Sequence, residues 1–352
     1  MPAIQAKSAA KVLVSGSNGY IAIWVVRTLL ERGYSVRGTV RSTEKGKHLF
    51  EIFKAYGDKL EVVVVEDITK EGAFDEAVKG VDAIAHTASP FHLIAVDPQE
   101  LIGPAVKGTA GMLASALKNG SSVQRIVVTS SCASVLHVSP EPKVFSEVDW
   151  NEQSIKEVEE QGKDASGITK YRASKTLAEK AAWDFYKKHK SEIKWDLSVI
   201  NPPFVFGPFI HDASSLDSLN ESARVWYSIV AKADSGGKSP EFLATQGSAW
   251  IDVRDLAEGH VRALEIPAAG DERIIISAGP FVWQDWIDTA NALSPSPIPS
   301  HTLPKGVPGA GKGARYALDY DTAKEKRILG ITLRTKEETA KDILADFERR
   351  GW

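Results

Sequence analysis

The sequence predicts an α/β fold, a doubly wound parallel sheet covered by helices and followed by a smaller C-terminal lobe. Three observations carry that prediction. Up to Asn201, short runs rich in Val and Ile alternate with stretches of helical periodicity, the pattern of a sheet buried on both faces. A glycine turn, Gly16-Ser17-Asn18-Gly19-Tyr20-Ile21-Ala22, joins the first such run to the first helical stretch. After Asn201 the alternation stops, prolines come in pairs and the connections lengthen.

Each element follows from its own residues. Lys11–Ser15 is apolar enough for a buried strand, and Tyr20–Arg32 places Ile21, Val25 and Leu29 at helical spacing before Gly33 closes it. Ser35–Val40 reads as the second strand, Ser42–Tyr56 as a helix with Leu49, Phe50 and Phe53 on one face, and Leu60–Val65 as the third strand. A short helix is expected at Ala73–Lys79 and a fourth strand at Val81–His86. Then come a helix over about Ile102–Asn119, a strand at Ser122–Thr129, a helix over about Tyr171–His189 and a strand at Asp196–Asn201. Ser294–Gly313 is too rich in Pro and Gly to be anything but a connector. Thr335 and Glu338 have capping-box spacing ahead of a stripe of Ala340, Ile343, Leu344 and Phe347, which predicts an amphipathic helix over Thr335–Arg350. The expected division is residues 1–200 plus about 242–266 for the sheet domain, with about 201–241 and 267–352 forming the lobe. The chain is expected to return to the main sheet near Trp250–Leu264.

Composition excludes several classes. The 352 residues are 43% hydrophobic and 25% charged, with 43 Lys and Arg against 46 Asp and Glu for a net charge of −3. A chain of this length buries a full core without disulfides or metals, and its charge offers no footprint for a nucleic acid. No stretch has the length and apolarity of a membrane helix. The first ten residues, MPAIQAKSAA, lack the apolar core of a secretory signal. Cys132 is the single cysteine, so neither an intramolecular disulfide nor a multi-cysteine metal site is available. The expectation is a cytoplasmic protein, monomeric or homodimeric, with no nucleic-acid or membrane partner and no metal.

The glycine turn lies between strand and helix, the setting of a dinucleotide-binding fingerprint in a Rossmann-type sheet. Glycines there let the backbone approach a pyrophosphate, and the helix start offers free N–H groups and a positive dipole end. The spacing is Gly-x-x-Gly-x-x-Ala, and by itself it also suits an ordinary glycine turn. The end of the second strand adds to it. An NAD-specific site places an acid there to hold the ribose hydroxyls, whereas this chain has Arg41, nineteen residues after Ala22, with Arg37 in the same strand and Lys45 just beyond. A guanidinium pairs with a 2′-phosphate that an acid would repel. The expected cofactor is therefore NADP(H); the other reading is that the three cations are solvated surface charges. Asp67, at the end of the third strand, suits either an adenine amino group or a turn. Thr87 and Ala88, after the fourth strand, are small enough for a cofactor to pass closely.

Tyr171 and Lys175 form Tyr-x-x-x-Lys, which puts phenol and ammonium on one helix face. A nearby cation is expected to lower the phenol pKa toward the range of a general acid–base. The preceding strand ends in Thr129-Ser130-Ser131, which brings hydroxyls to the carboxyl edge where such sheets bind ligands.

With VLVSGSNGYIA, RGYSVRGTVRS, VEDI, HTASP, RIVVTSS, YRASKTLAEKAAW, NPPFVFGP and WIDVRDLA in place, the chain resembles the extended short-chain dehydrogenases/reductases over almost its whole length. Within them it is most similar to the dihydroflavonol-reductase/cinnamoyl-CoA-reductase group and to the fungal NADPH-dependent aldehyde and ketone reductases of the methylglyoxal-reductase type. The resemblance implies that Ser131 holds a substrate carbonyl oxygen, that Tyr171 is the proton donor, and that Lys175 tunes Tyr171 and binds the nicotinamide ribose. It also implies Asp67 and Ile68 on the adenine side and residues 201–205, among them Pro202 and Val205, at the carboxamide end; together with Gly16, Asn18, Gly19, Tyr20, Ile21, Arg41, Lys45, Thr87 and Ala88 from the reading above, these are the expected contacts of NADPH/NADP+. Two departures stand out. ITKYRASK lacks the cysteine of the plant cinnamoyl-CoA reductases, and Ala105 stands where many extended members have an asparagine.

The reading is an aldehyde or ketone reductase acting on a small molecule. The alternatives are a sugar-nucleotide epimerase or dehydratase on the same fold, and a non-catalytic NADPH-sensing protein. Selectivity is expected in Ser89–Leu93, Val135–Val138, Ile210–Ser222 and Val225–Tyr227, with Trp226 and Tyr227 either lining a pocket or filling core, and Trp250 better suited to core. Gly306–Lys312 starts like a phosphate loop but continues with Gly313 and has no strand before it. His86 and His92 lack metal-ligand spacing, and Cys132 suits packing better than nucleophilic attack.

Overall fold

The computed structural model describes residues 3–4, 10–89 and 95–352. In chain order the strands are β1 (Lys11–Ser15), β2 (Ser35–Val40), β3 (Leu60–Val64), β4 (Ala83–His86), β5 (Arg125–Thr129), β6 (Lys143–Phe145), β7 (Asp196–Asn201), β8 (Phe204–Phe206), β9 (Gly247–Asp252), β10 (Arg273–Ile275), β11 (Gly279–Val282) and β12 (Leu318–Tyr320). The helices are α1 (Tyr20–Glu31), α2 (Thr43–Ile52), α3 (Gln99–Asn119), α4 (Glu152–Gln161), α5 (Gly167–Lys188), α6 (Glu221–Trp226), α7 (Pro240–Thr245), α8 (Val253–Glu265), α9 (Trp283–Ala292), α10 (Ala323–Ile328) and α11 (Lys336–Arg350).

Seven strands make one parallel sheet in the order β10-β7-β5-β4-β1-β2-β3. The chain builds outward from β1 to β3, then crosses to β4 on the other side of β1. The crevice between the carboxyl ends of β1 and β4 is thus the topological switch point, where such sheets bind ligands. Strand alternation divides the core: Val12 and Val14 face one layer with α1 and α8, and Leu13 faces the other with Phe74, Leu113 and Val199.

The doubly wound sheet is as expected, and several local differences have physical causes. Residues 73–79 form turns, not a helix. Gly72 and Gly80 flank them at φ +71° and +67°, and the Arg37 guanidinium takes the carbonyls of Ala77 and Lys79. The helix after β2 stops at Ile52, and a 3-10 turn over Lys54–Lys59 follows, with Gly57 at φ +52°. α5 begins earlier than the tyrosine because Ser166 caps the N–H of Thr169. Near Trp250 it is α8 that packs back on the main sheet. β9 belongs to a separate three-stranded sheet, β11-β9-β8, and the main sheet gains β10 from the stretch read as lobe. Three residues are too few for β10 to show a period of two.

The rest of the chain wraps an aromatic cluster. Trp286 meets Trp250 at 4.8 Å, Phe206 at 5.4 Å and Trp226 at 5.9 Å between ring centres. Trp226 and Trp250 are core residues, and half-buried Tyr227 packs against Phe347 of α11. The capping box on α11 is present: Thr335 N donates to Glu338 Oε2 at 2.8 Å and Glu338 N to Thr335 Oγ1 at 3.2 Å. Residues 306–313 lie in a connector whose Val307 and Gly309 N–H groups are taken by Gln284 and Asp288, so the loop presents those donors to its own chain. Among the described residues no helix is long and apolar enough to cross a membrane, and no group of three or more His, Cys, Asp or Glu side chains could hold a metal.

Candidate active site

The glycine turn follows β1 directly, and Thr87 and Ala88 follow β4, whose His86 is in register with Ser15. One hydroxyl joins the two strand ends. Ser15 Oγ accepts the N–H groups of Thr87 and Ala88 at 3.0 Å each and lies 2.9 Å from His86 Nδ1. With its lone pairs so used, the hydroxyl donates to Nδ1, and the His86 proton resides on Nε2. Burial, helped by Lys175, pushes the His86 pKa down to about 3, so this ring is neutral. Gly16 sits at φ +63°, and a Cβ there would stand 3.2 Å from Cα and from Cβ of Ala88. Only glycine allows that turn and that approach together.

This edge fits a dinucleotide. No side chain caps the start of α1, and no acid stands in its first turn, which leaves N–H groups and the positive dipole end for a phosphate. Asn18 and Gly19 form the turn, and Tyr20 and Ile21 open the helix. Tyr20 contributes backbone only: its hydroxyl is buried and donates to the carbonyl of Gly207 at 2.9 Å. Arg41 and Lys45 are exposed beyond β2. Arg37 is not with them. Its guanidinium binds Glu61 and the Ala77 and Lys79 carbonyls on the far side, so the expected cluster of three cations reduces to Arg41 and Lys45. Asp67 is held below the usual carboxylate range by the hydroxyl and N–H of Thr69, with Lys70 and Arg41 adding to the effect. The Ile68 side chain fits against Gly108 of α3, where a Cβ would come within 2.8 Å of it. Of the segment Ser89–Leu93, residues 90–93 lie outside the described residues, as does His92.

The catalytic candidates meet at the carboxyl end of β5. Ser131 caps a 3-10 turn over Cys132–Ser134, its Oγ accepting the N–H of Ala133 at 3.1 Å. Tyr171 and Lys175 lie one turn apart on α5. Burial pushes the phenol up to about 12, and a hydrogen bond with Ser131 offsets part of that rise. The expectation that Lys175 draws the phenol down is not met: the desolvation of Tyr171 outweighs every other influence, so the phenol keeps its proton. Burial instead acts on the lysine, lowering the ammonium to about 8 against an opposing pull from Glu179. The carbonyl of Pro202 accepts the Cys132 N–H at 2.9 Å, and Val205 lies buried in β8, so the segment after β7 forms the wall beside Ser131. Cys132 is buried, with its thiol pushed well up by desolvation, as suits packing.

Comparison with known proteins gives the family of the chain. Residues 12–279 match the model of the NAD dependent epimerase/dehydratase family. The chain belongs to that family. Among its extended short-chain dehydrogenase/reductase members, a ketoreductase of Aspergillus niger, azaE, is 37% identical over 345 residues, covering 93% of this chain and 94% of the relative. The NADPH-dependent methylglyoxal reductase GRE2 of Saccharomyces cerevisiae is 35% identical over 96% of this chain and 97% of its own. The crystal structure of that yeast methylglyoxal/isovaleraldehyde reductase complexed with NADPH superposes with a TM-score of 0.84 at 33% identity, over 97% of this chain and 99% of the other.

The family's glycine turn and Tyr-x-x-x-Lys are legible in the sequence, but the layer beneath them is not. Glu179 lies wholly buried one turn beyond Lys175, bonded to Ser130, Ser134, Asn201 and Arg273. The repeat of four from Tyr171 to Lys175 to Glu179 was the available signal. Nothing local points to Arg273, which arrives from a strand about a hundred residues later.

Proposed function

We propose that this protein is an NADPH-dependent reductase of an aldehyde or ketone, with Ser131, Tyr171 and Lys175 as its catalytic residues. The observation that carries the reading is that Ser131, Tyr171 and Lys175 lie at the carboxyl end of β5, beside the switch point, while the end of β2 across the same sheet edge carries Arg41 rather than an acid. Gly16, Asn18, Gly19, Tyr20 and Ile21 would hold the pyrophosphate through backbone N–H groups, Arg41 and Lys45 the 2′-phosphate, Asp67 and Ile68 the adenine end, Thr87 and Ala88 the crevice side, and Pro202 and Val205 the carboxamide end. NADPH, when bound, supplies the hydride.

The chain's own residues do the rest. Ser131 and Tyr171 donate hydrogen bonds to the substrate oxygen and so stabilise the negative charge that grows on it. Tyr171, protonated at every physiological pH, transfers its proton to that oxygen. Lys175, charged below about pH 8, steadies the phenolate that remains, and solvent returns the proton.

The test is NADPH oxidation, followed by nicotinamide absorbance, across keto-aldehydes, keto esters, aryl ketones and flavonoid-like ketones. Turnover with NADPH well above that with NADH is expected. Purified protein that retains NAD+ and oxidises no NADPH with any of them would refute the proposal in favour of an epimerase or dehydratase. Equal affinity for the two cofactors would remove the role given to Arg41.

A further inference from the structure

Glu179 has no part in the chemistry above, yet its carboxylate organises the site from below. Its side chain is fully buried. Oε2 accepts hydrogen bonds from Ser130 Oγ at 2.6 Å, Ser134 Oγ at 2.5 Å and Asn201 Nδ2 at 2.8 Å. Oε1 accepts from Arg273 Nε at 2.5 Å. Ser130 and Ser134 bracket Ser131, and Asn201 Nδ2 also reaches the Ser131 carbonyl at 3.2 Å. Arg273 is fixed in turn by the carbonyls of Glu147 and Asp149 and by the face of Trp150, 3.7 Å from its ring centre. One carboxylate therefore joins α5, the turn after β5, the end of β7 and β10.

The same carboxylate also sits on the Lys175 face of α5. The narrow cavity beside Lys175 is lined by His86, Thr109, Thr129, Ser130 and Glu179. Among the described residues, of the titratable groups around the ammonium His86 at the end of β4 is neutral, Tyr171 keeps its proton, and Glu179 is the negative charge, with Arg273 behind it. A buried ammonium needs a nearby opposite charge to remain charged.

We propose that Glu179 is a positioning residue of the active site: its carboxylate holds the Ser131 turn against the catalytic helix and keeps Lys175 in its charged form, while Arg273 limits how strongly it does so. This rests on the reductase reading for its consequence in catalysis, but not for its measurement. Removing the negative charge lowers the pH at which Lys175 loses its proton; removing the positive charge behind it raises that pH.

The experiment is an NMR titration of protein carrying 13Cε-lysine, with the Lys175 signal assigned by its loss in Lys175→Met. The Lys175 midpoint is expected to fall by about one pH unit in Glu179→Gln and to rise in Arg273→Met. The paired variant Glu179→Gln/Arg273→Met removes both members of the Glu179–Arg273 pair, so neither is left buried without the other, and serves if a single variant fails to fold; its midpoint falls by less than that of Glu179→Gln. The alkaline limb of kcat/KM for NADPH-dependent turnover should move with each midpoint. Midpoints that agree in all variants, or that move the same way in both singles, overturn the proposal, because a purely structural role lowers activity without moving this titration. Midpoints that move as expected while kcat/KM has no matching limb support Glu179 as the holder of the lysine charge and count against the carbonyl-reductase role of Lys175.

Discussion

Two buried Arg–carboxylate pairs brace opposite ends of the same strands, and they differ in what they spend their hydrogen bonds on. At the amino end, Arg125 of β5 grips Asp196 of β7 with both sides of its fork, Nε to Oδ1 at 2.6 Å and Nη2 to Oδ2 at 2.8 Å. Its remaining donors go to the carbonyls of Ala263, Ile266 and Pro267. All five guanidinium N–H groups are used, and among the described residues the Arg125 side chain hydrogen-bonds only to Asp196 and to backbone carbonyls. At the carboxyl end, Arg273 gives Glu179 a single bond, and its Nη2 is buried with no hydrogen-bond partner among the described residues. There the carboxylate gives its capacity to Ser130, Ser134 and Asn201. The saturated pair welds strands β5 and β7 to the end of α8. The unsaturated pair gives up part of its own bonding to hold a reactive surface in place, a division in which stability and function draw on different ends of one sheet.

The largest effect expected lies at the carboxyl end and is kinetic. Tyr171→Phe removes the proton donor and should lower kcat by about 10²–10⁴-fold, the usual contribution of a positioned general acid. NADPH affinity and melting temperature should stay close to those of the parent. Steady-state kinetics beside a binding titration and a thermal melt check this, and turnover near that of the parent would break the assignment. Its counterpart at the amino end is thermodynamic. Arg125→Met strands Asp196 without a partner and should cost about 3–5 kcal/mol of stability. The pair Arg125→Met/Asp196→Leu should recover most of that loss. In both variants kcat/KM per folded molecule should be unchanged, as read from denaturant melts and kinetics. A fall in kcat/KM would show that the two ends are mechanically coupled.

A smaller effect separates the ends by pH. Lys175 has a folded pKa of about 8 against an ordinary value of 10.5. Between those values the unfolded chain binds more protons than the folded one, so this residue makes stability rise with pH across that window. Below about pH 8 both states are protonated, and the full cost of burying the charge is present. Lys175→Met should therefore be more stable than the parent below about pH 8 and should lose the rise above it. Melting temperatures from about pH 7 to 10 check this. Parallel curves for parent and variant would show that the lysine is not held in a desolvated site. In the same window the parent gains stability where it loses the charge its chemistry needs.

This contrast also marks how far the sequence could be read. The sheet was legible because its strands are short runs of Val and Ile, and β1, β2 and β7 lie where their residues put them. The same reading found the glycine turn, the Tyr-x-x-x-Lys face and the capping box of α11, since each depends on residues within one turn or one helix. It failed where a partner comes from far along the chain. Arg37 reads as a cofactor cation until β3 supplies Glu61, and residues 73–79 read as a helix until Arg37 takes their carbonyls. β10 was too short to show a period, and with it went Arg273 and the meaning of Glu179. Buried charge networks are the least local feature of a fold, because each member looks like an ordinary surface residue within its own stretch of sequence.

The smallest effect comes from a place remote from both ends and calibrates the comparison. Thr335 caps α11 through the N–H of Glu338, and Glu338 returns a bond to the Thr335 N–H. Thr335→Ala should cost about 1 kcal/mol, the usual value of a lost cap. The last turns of α11 hold the loop after β8, where Asp346 accepts the Phe209 N–H at 2.9 Å and Arg350 donates to the Ala213 carbonyl at 3.0 Å. Loss of the cap frays the opposite end of the helix, so KM and kcat should be unaffected while the denaturation midpoint drops slightly. If KM rose instead, α11 would be shown to move as a rigid rod, and the loop at Phe209 would have to be counted with the carboxyl end of the sheet rather than with the scaffold. That outcome would enlarge the functional region at the expense of the structural one, whereas a small loss of stability alone would leave the boundary where the two ion pairs draw it.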